Sequence, residues 1–334
     1  MFLKNKLVIV TDAWYPQVNG VVTMYSNLID NLPEDWEVTI IEPSMFKTFK
    51  FGLYKNIEMA LVPKEKLLDV FWDSVGNHYI FKVHIATEGP LGLQMKRLLD
   101  QYGMRYTTAY HTKFPEYIQS IYKIPAILTR WYFNWFHKKS KLVLVPSKSV
   151  AKENPKWNTR VWDSGHSNFF EFKEKQVSRR PILLYVGRVS KEKNIEDFCE
   201  IGVDSWKYTK IVVGDGPDRK RLQNQYDDVH FVGYKFGEEL VSYYQNADVF
   251  VFPSKTDTFG IVMLEAMACG TPVAAYPATG PIDLITNNDN GYVDDNLTVA
   301  VNKCLGIERK TVYNSVIGKT WQRSAKQFIK YIGE

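Results

Sequence analysis

Cysteine is scarce in this 334-residue sequence: Cys199, Cys269 and Cys304 are far apart and form no CxxC pair. That rules out a disulfide scaffold, argues against a structural zinc site and suggests a reducing compartment. No apolar run reaches the roughly 18 residues needed to span a bilayer. The first apolar stretch, residues 7–10, stops at Thr11-Asp12, too short for a signal-peptide core, and reads as a first β-strand. The expectation is a soluble, cytoplasmic protein. The chain has no GxxxxGK[ST], no HExxH and no GxSxG, so P-loop hydrolysis, zinc-protease chemistry and nucleophile-elbow hydrolysis lose weight. It has no Asp-x-Asp, the usual carboxylate pair that carries Mg²⁺ or Mn²⁺ beside a nucleotide. It also lacks GxGxxG, which makes a cofactor-dependent dehydrogenase a poor reading.

What is present is globular. Hydrophobic residues make up 45% and charged residues 24%, and the length suggests two domains. Strand-like runs alternate with helix-like periods. In the first half, strands are expected at 7–10, 38–41, 79–86, 106–110 and 142–145, with a helix at 91–99. The alternation restarts with strands at 182–186, 210–213, 229–232, 249–252 and 272–276. Helices are expected between them at 194–202, 219–226, 238–245 and 261–268. Repeated βα units imply an α/β protein with parallel sheets covered on both faces. Two series imply two facing Rossmann-like domains, 1–168 and 169–319, with an interdomain cleft. The join is placed in the polar stretch 169–180, and a C-terminal helix, about 320–334, is expected to pack back on the first domain. Ligands bind beyond the carboxyl ends of such strands, so the residues just after each strand are the ones to search.

Charge is unevenly placed. The net charge of +5 is mild, and no nucleic-acid partner is expected. Between Arg130 and Arg160, however, eight Lys/Arg face one acid, Glu153. Inside this stretch runs Trp131-Tyr132-Phe133-Asn134-Trp135-Phe136. Two readings stand: a core helix with a solvated basic face, or a helix in peripheral contact with a membrane surface.

Several strand ends carry residues suited to an anionic ligand. Gly20, in Gln17-Val18-Asn19-Gly20-Val21, opens a helix, where backbone N–H groups can approach an anion; it can equally be a turn glycine. Arg188 and Lys193 follow strand 182–186 and form a cation pair suited to a diphosphate, or a solvated basic loop. Gly214, in Gly214-Asp215-Gly216-Pro217, lines a ligand or turns the chain. Asp257 precedes Phe259-Gly260-Ile261-Val262, the start of a helix that carries Glu265 between Leu264 and Ala266. A carboxylate on so apolar a helix needs hydrogen-bond partners, which sugar hydroxyls could supply; the alternatives are a helix cap at Asp257 and a buried pair at Glu265. His111 and Glu88 lie at strand ends in the first half.

Together these residues resemble the family 4 retaining glycosyltransferases of the two-domain GT-B fold. The carriers are Asp257 and Glu265 with seven residues between them, Arg188 with Lys193, and Gly20 in its loop. Ile85-Ala86-Thr87-Glu88-Gly89-Pro90-Leu91-Gly92 and Tyr110-His111-Thr112-Lys113-Phe114-Pro115-Glu116-Tyr117 resemble the bacterial branch that forms mannosides and glycolipids. Two features depart from the family. Lys113 stands where that branch commonly has Arg, and Asp163-Ser164-Gly165-His166-Ser167 replaces the usual R-G-V-D near the junction. The resemblance implies a metal-independent, retaining hexosyltransferase with no cofactor beyond its co-substrate. Its donor would be a nucleotide-diphosphate sugar, GDP-mannose first and a UDP-hexose next, and its acceptor a lipid or glycan. It also implies that Gly20, Arg188 and Lys193 hold the diphosphate and that Glu265 holds the ribose. Asp257, Phe259, Gly260, Ile261 and Val262 would hold the sugar and its phosphate. Gly214, Val232 and Gly233 would lie in the donor site, the last two at the base, and His111 beside the transferred sugar. A non-catalytic nucleotide-binding protein on the same fold is the competing reading.

Overall fold

A computed structural model describes residues 5–17, 19–50, 58–175, 179–202 and 207–334. Val18 of the Gly20 loop and Ser178 of the polar stretch lie outside the described residues. The chain forms two compact units, Met1–Asp163 with Trp321–Glu334, and Ser164–Thr320. The break therefore falls ahead of the polar stretch at 169–180. The cause is local: the His166 amide donates to the Lys319 carbonyl at 2.9 Å, and His166 Nε2 lies 3.2 Å from the Val316 carbonyl. These contacts tie residues just after Asp163 to the second unit.

The first unit is built on strands β1 (Asn5–Val10), β2 (Trp36–Ile41), β3 (Lys47–Lys50), β4 (Glu58–Leu61), β5 (Phe81–Ile85), β6 (Thr107–Ala109), β7 (Leu142–Val145) and β8 (Thr159–Val161). Strands β3 and β4 form an antiparallel pair. The others form a parallel sheet in the order β2-β1-β5-β6-β7-β8. Leu7, Val8, Ile9 and Val10 are fully buried, as a strand sandwiched between helices requires. The helix Gly20–Asp30 starts at Asn19, whose side chain accepts from the amides of Val21 and Val22. The helix Trp321–Gly333 belongs to this unit. Its Phe328 ring sits 5.0 Å from the His84 ring and 4.9 Å from Trp162, and Trp162 Nε1 donates to the Ser324 carbonyl at 3.1 Å.

The aromatic stretch within 130–160 forms the helix Ala126–His137, with one face buried and one exposed. Phe133, Phe136 and His137 are buried, whereas Ile127 and Trp131 are 77% and 71% exposed and Leu128 is also exposed. Among the described residues, no helix is long and apolar enough to cross a membrane.

The second unit repeats the plan with β9 (Ile182–Val186), β10 (Thr209–Val213), β11 (Val229–Gly233), β12 (Val249–Phe252), β13 (Val273–Ala275) and β14 (Gly291–Val293), in the parallel order β11-β10-β9-β12-β13-β14. The short helix Ile195–Cys199 starts later than residue 194, because Asn194 takes a left-handed conformation with φ 50°. The architecture in both units is thus α/β with parallel sheets.

Phe328 links the last helix to the centre of the first sheet. Phe328→Ala should cost the first unit about 3–5 kcal/mol. Urea unfolding should show one early transition assigned to this unit by Trp162 fluorescence, with the second unit's transition unmoved. Loss of less than about 1 kcal/mol would show that the helix is not part of this core.

Candidate active site

In the second unit, the loops that leave the strands are stitched to one another along the carboxyl edge of the sheet. The Gly187 amide donates to the Val213 carbonyl at 3.0 Å, the Val189 amide to Asp215 at 3.0 Å, and the Gly214 amide to Gly233 at 2.8 Å. These bonds join the loops after β9, β10 and β11. Glycine is required at 214, where φ is +132° and a Cβ would stand 1.9 Å from the Gly187 carbonyl oxygen. Gly233, with φ +77°, lies over the Arg219 guanidinium, which donates to Asp215 at 2.8 Å and to the Phe231 carbonyl at 3.3 Å. The loop after β12 joins the same rim. Thr256 Oγ1 donates to the Glu192 carbonyl at 3.3 Å, and Asn194 Nδ2 to Pro253 at 3.3 Å.

The shortest tie across these loops is ionic. Lys193 Nζ lies 2.6 Å from Asp257 Oδ1, with each side chain about one-quarter exposed. Asp257 is therefore not the cap of the helix Ile261–Ala268, whose cap residue is Gly260 and which has no side-chain cap bond. Arg188 begins the same loop as Lys193, and its carbonyl accepts from the Tyr185 hydroxyl at 2.8 Å.

Glu265 lies further along that helix and is partly buried. The Tyr244 hydroxyl donates to its Oε2 at 2.8 Å. Burial lifts the carboxyl to about 7, and the Tyr244 bond offsets only part of the rise. Tyr244 is itself fixed by its carbonyl, which accepts from Thr271 Oγ1 at 2.6 Å. Thus Lys193 and Asp257 meet directly, Gly214 bonds to Gly233 beside Val232 at the end of β11, and Glu265 stands on the helix that Phe259-Gly260 opens.

In the first unit, His111 follows β6, and its Nε2 lies 2.9 Å from the buried Tyr25 hydroxyl. Desolvation lowers its pKa to about 4, so the ring is neutral at neutral pH. Gly20 opens its helix, and a Cβ there would meet no described atom within 4 Å. Protein packing therefore does not demand a glycine at this position. Glu88 is buried, with Oε1 3.3 Å from His137 Nε2. Desolvation raises the pKa of Glu88 and lowers that of His137 to about 3, so burial works against charge on both groups.

One residue named only as part of the β1 loop has a clear role here. Asp12 accepts from the amides of Leu91 and Gly92 at 2.7 and 3.2 Å, and from the Thr87 hydroxyl at 2.8 Å. It plugs the start of the helix Pro90–Gln101, whose own cap residue, Gly89, has no side chain to offer. Tyr25, His84 and Tyr244 were also not singled out. His84 in Phe81–Ile85 had a legible signal, a polar residue inside a buried strand, whereas Tyr25 and Tyr244 lie at helix positions whose neighbours give none.

Residues 18–159 match the family described as Glycosyltransferase Family 4, and residues 167–299 match the one described as Glycosyl transferases group 1. The chain is 28% identical over 317 residues to a GDP-mannose-dependent alpha-mannosyltransferase of Mycobacterium tuberculosis, covering 86% of this chain and 83% of that protein. It is 26% identical over 381 residues to the alpha-monoglucosyldiacylglycerol synthase of Streptococcus pneumoniae, covering 97% and 83%. The fold matches that of sucrose-phosphate synthase from Thermosynechococcus elongatus with a TM-score of 0.77, 19% identity and 98% of both chains covered. The two family matches take in most of the chain, which belongs to the family 4 glycosyltransferases of the GT-B fold. It is an enzyme that transfers a sugar, a hexosyltransferase.

Glu265 makes the stability of the second unit depend on pH. Its folded-state pKa is raised, so its favourable contribution is complete below about pH 4.5 and is lost as pH rises through about 7. Chemical unfolding should show the unit losing about 3 kcal/mol across that window relative to Glu265→Gln. Parallel curves for the two proteins would show that Glu265 titrates normally.

Proposed function

We propose that the enzyme moves a hexose, mannose from GDP-mannose in the first instance, to a lipid or glycan acceptor with retention of configuration and without a divalent cation. The observation that carries this reading is the Lys193–Asp257 pair on the rim of stitched loops. A partly exposed pair of this kind adds no more than about 1 kcal/mol to stability. Its value lies instead in holding an ammonium in place next to a carboxylate that can accept from sugar hydroxyls.

The leaving group is a nucleoside diphosphate, and its charge grows as the glycosidic bond breaks. Arg188 and Lys193 supply fixed positive charge, and the amides at Ile261 and Val262 add oriented donors at a helix start. The absence of Asp-x-Asp fits charge neutralisation by these groups. Asp257 with Phe259 and Gly260 holds the sugar and its phosphate, Glu265 accepts from the ribose hydroxyls, and Gly214, Val232 and Gly233 line the base end. The acceptor hydroxyl attacks the anomeric carbon from the face that the diphosphate leaves. The departing phosphate oxygen takes the hydroxyl proton, and the new bond keeps the original configuration.

A UDP-hexose donor is the second reading, favoured by the likeness to the monoglucosyldiacylglycerol synthase. Nucleoside diphosphate release from GDP-mannose, UDP-glucose and related donors separates the two. Lys193→Ala and Asp257→Ala should each lower kcat/KM on the active donor by about 100-fold, the scale of a lost preorganised contact. Their thermal midpoints should stay close to that of the parent. Full activity in both folded variants would remove the pair from the site.

The exposed Ile127, Leu128 and Trp131 lie at the start of the basic stretch Arg130–Arg160. Apolar side chains beside clustered cations suit the surface of an anionic membrane, where a lipid acceptor would reside. Co-sedimentation with phosphatidylglycerol vesicles should therefore fall as salt rises, and should weaken in an Ile127→Ser/Trp131→Ser double variant. No sedimentation at low salt would leave a soluble glycan as the acceptor.

A further inference from the structure

Glu265 has one carboxyl oxygen taken and one to offer. The Tyr244 hydroxyl donates to Oε2 at 2.8 Å. Oε1 has no hydrogen-bond partner among the described residues and is not sealed from solvent. An ionised carboxylate can only accept, so the phenol must give it its single proton. Desolvation raises the Tyr244 pKa well above the ordinary phenol value, which keeps that proton on the ring oxygen.

Tyr244 is held where it cannot swing away. It is fully buried in the helix Gly237–Asn246. Its ring meets Phe170 edge-on at 5.7 Å and lies 5.8 Å from the Phe250 ring. Its carbonyl accepts from Thr271 Oγ1 at 2.6 Å. Arg309 then ties the ends of the two helices together. Its Nη2 donates to the Gln245 carbonyl, next to Tyr244, at 2.9 Å, and to the carbonyl of Cys269, which ends the Glu265 helix, at 3.0 Å. The hydroxyl is therefore fixed relative to the backbone at 265. The Glu265 side chain has several torsions to settle, and the bond to Tyr244 settles them in one direction.

We propose that Tyr244 is a positioning residue that makes the site select ribonucleotides over deoxyribonucleotides: by holding Oε2 it leaves Oε1 as the oxygen that accepts from the ribose hydroxyls. The ribose-facing part rests on the role given to Glu265 above. A ribonucleotide supplies donors that a partly buried carboxylate needs, and a nucleotide without those hydroxyls leaves Oε1 unmatched.

Calorimetric titration of the full chain tests this, with whichever of GDP and UDP binds tighter and with the 2′,3′-dideoxy form of the same nucleotide. The parent should bind the ribonucleotide at least about tenfold tighter, the scale of a hydrogen bond to a charged acceptor, and Glu265→Ala should bring the two affinities together. Tyr244→Phe removes the hydroxyl and keeps both ring contacts. It should cut the ribonucleotide preference at least about fivefold and leave the dideoxy affinity within about twofold of the parent. A preference that depends on Glu265 but is unchanged in folded Tyr244→Phe overturns the proposal alone. So does an equal loss for both nucleotides, the result of a merely structural tyrosine. No preference in the parent, or one that survives Glu265→Ala, removes the ribose from Glu265 and the proposal with it. Crystals of the parent chain with the ribonucleotide decide the point without a variant. A ribose hydroxyl on Oε1 with Tyr244 still on Oε2 is expected, and a ribose hydroxyl on Oε2 in place of Tyr244 overturns the assignment.

Discussion

A parallel sheet sends every loop that leaves a strand to the same edge. In the second unit this constraint gathers residues that are far apart in sequence, from Gly187 to Phe259, along one stitched rim. Backbone bonds between neighbouring loops set the spacing, and Gly214 permits an approach that no other residue could make. The Lys193–Asp257 contact can form because the loops after β9 and β12, which are adjacent strands in the sheet, are already held together.

The two acids on this rim are in different electrostatic states. Asp257 faces a fixed cation, whereas Glu265 accepts from the Tyr244 hydroxyl and sits in surroundings that favour its neutral form. A ligand that donates hydroxyls to Glu265 would favour the ionised carboxylate and supply what burial withholds. The first unit answers its buried charges differently. Asp12 is satisfied by backbone amides at a helix start, whereas burial works against charge on both Glu88 and His137. The helix Pro90–Gln101 is thereby closed by the protein's own carboxylate.

Much of this was legible in the sequence, and the limits have physical causes. Continuous apolar strands such as Leu142–Val145 and Ile182–Val186 were read with their observed bounds, because a strand buried on both faces has no competing periodicity. The helix Ile261–Ala268 was also read as observed. Strands β8 and β14 were not read: each has three residues, one with Arg160 at its centre and the other opening on Gly291. The candidate site residues could be chosen because ligand chemistry puts glycine and charge just after strands. Their partners could not be found that way. Tyr25 meets His84 across 59 positions and His111 across 86, pairings that only the sheet order creates. The aromatic helix Ala126–His137 was left between a core helix and membrane contact, because one period carries both the buried Phe133 and Phe136 and the exposed Ile127 and Trp131.

The central claim is that a diphosphate, more than a base or a sugar, is what the rim of the second unit grips. Calorimetric titration of GDP against GMP, and of UDP against UMP, into the full chain with EDTA present tests it most directly. The account predicts that the diphosphate of the preferred base binds at least about tenfold tighter than its monophosphate, since each charge-assisted bond to the added phosphate contributes roughly 1.5–3 kcal/mol. Equal affinities for the two nucleotides would contradict it.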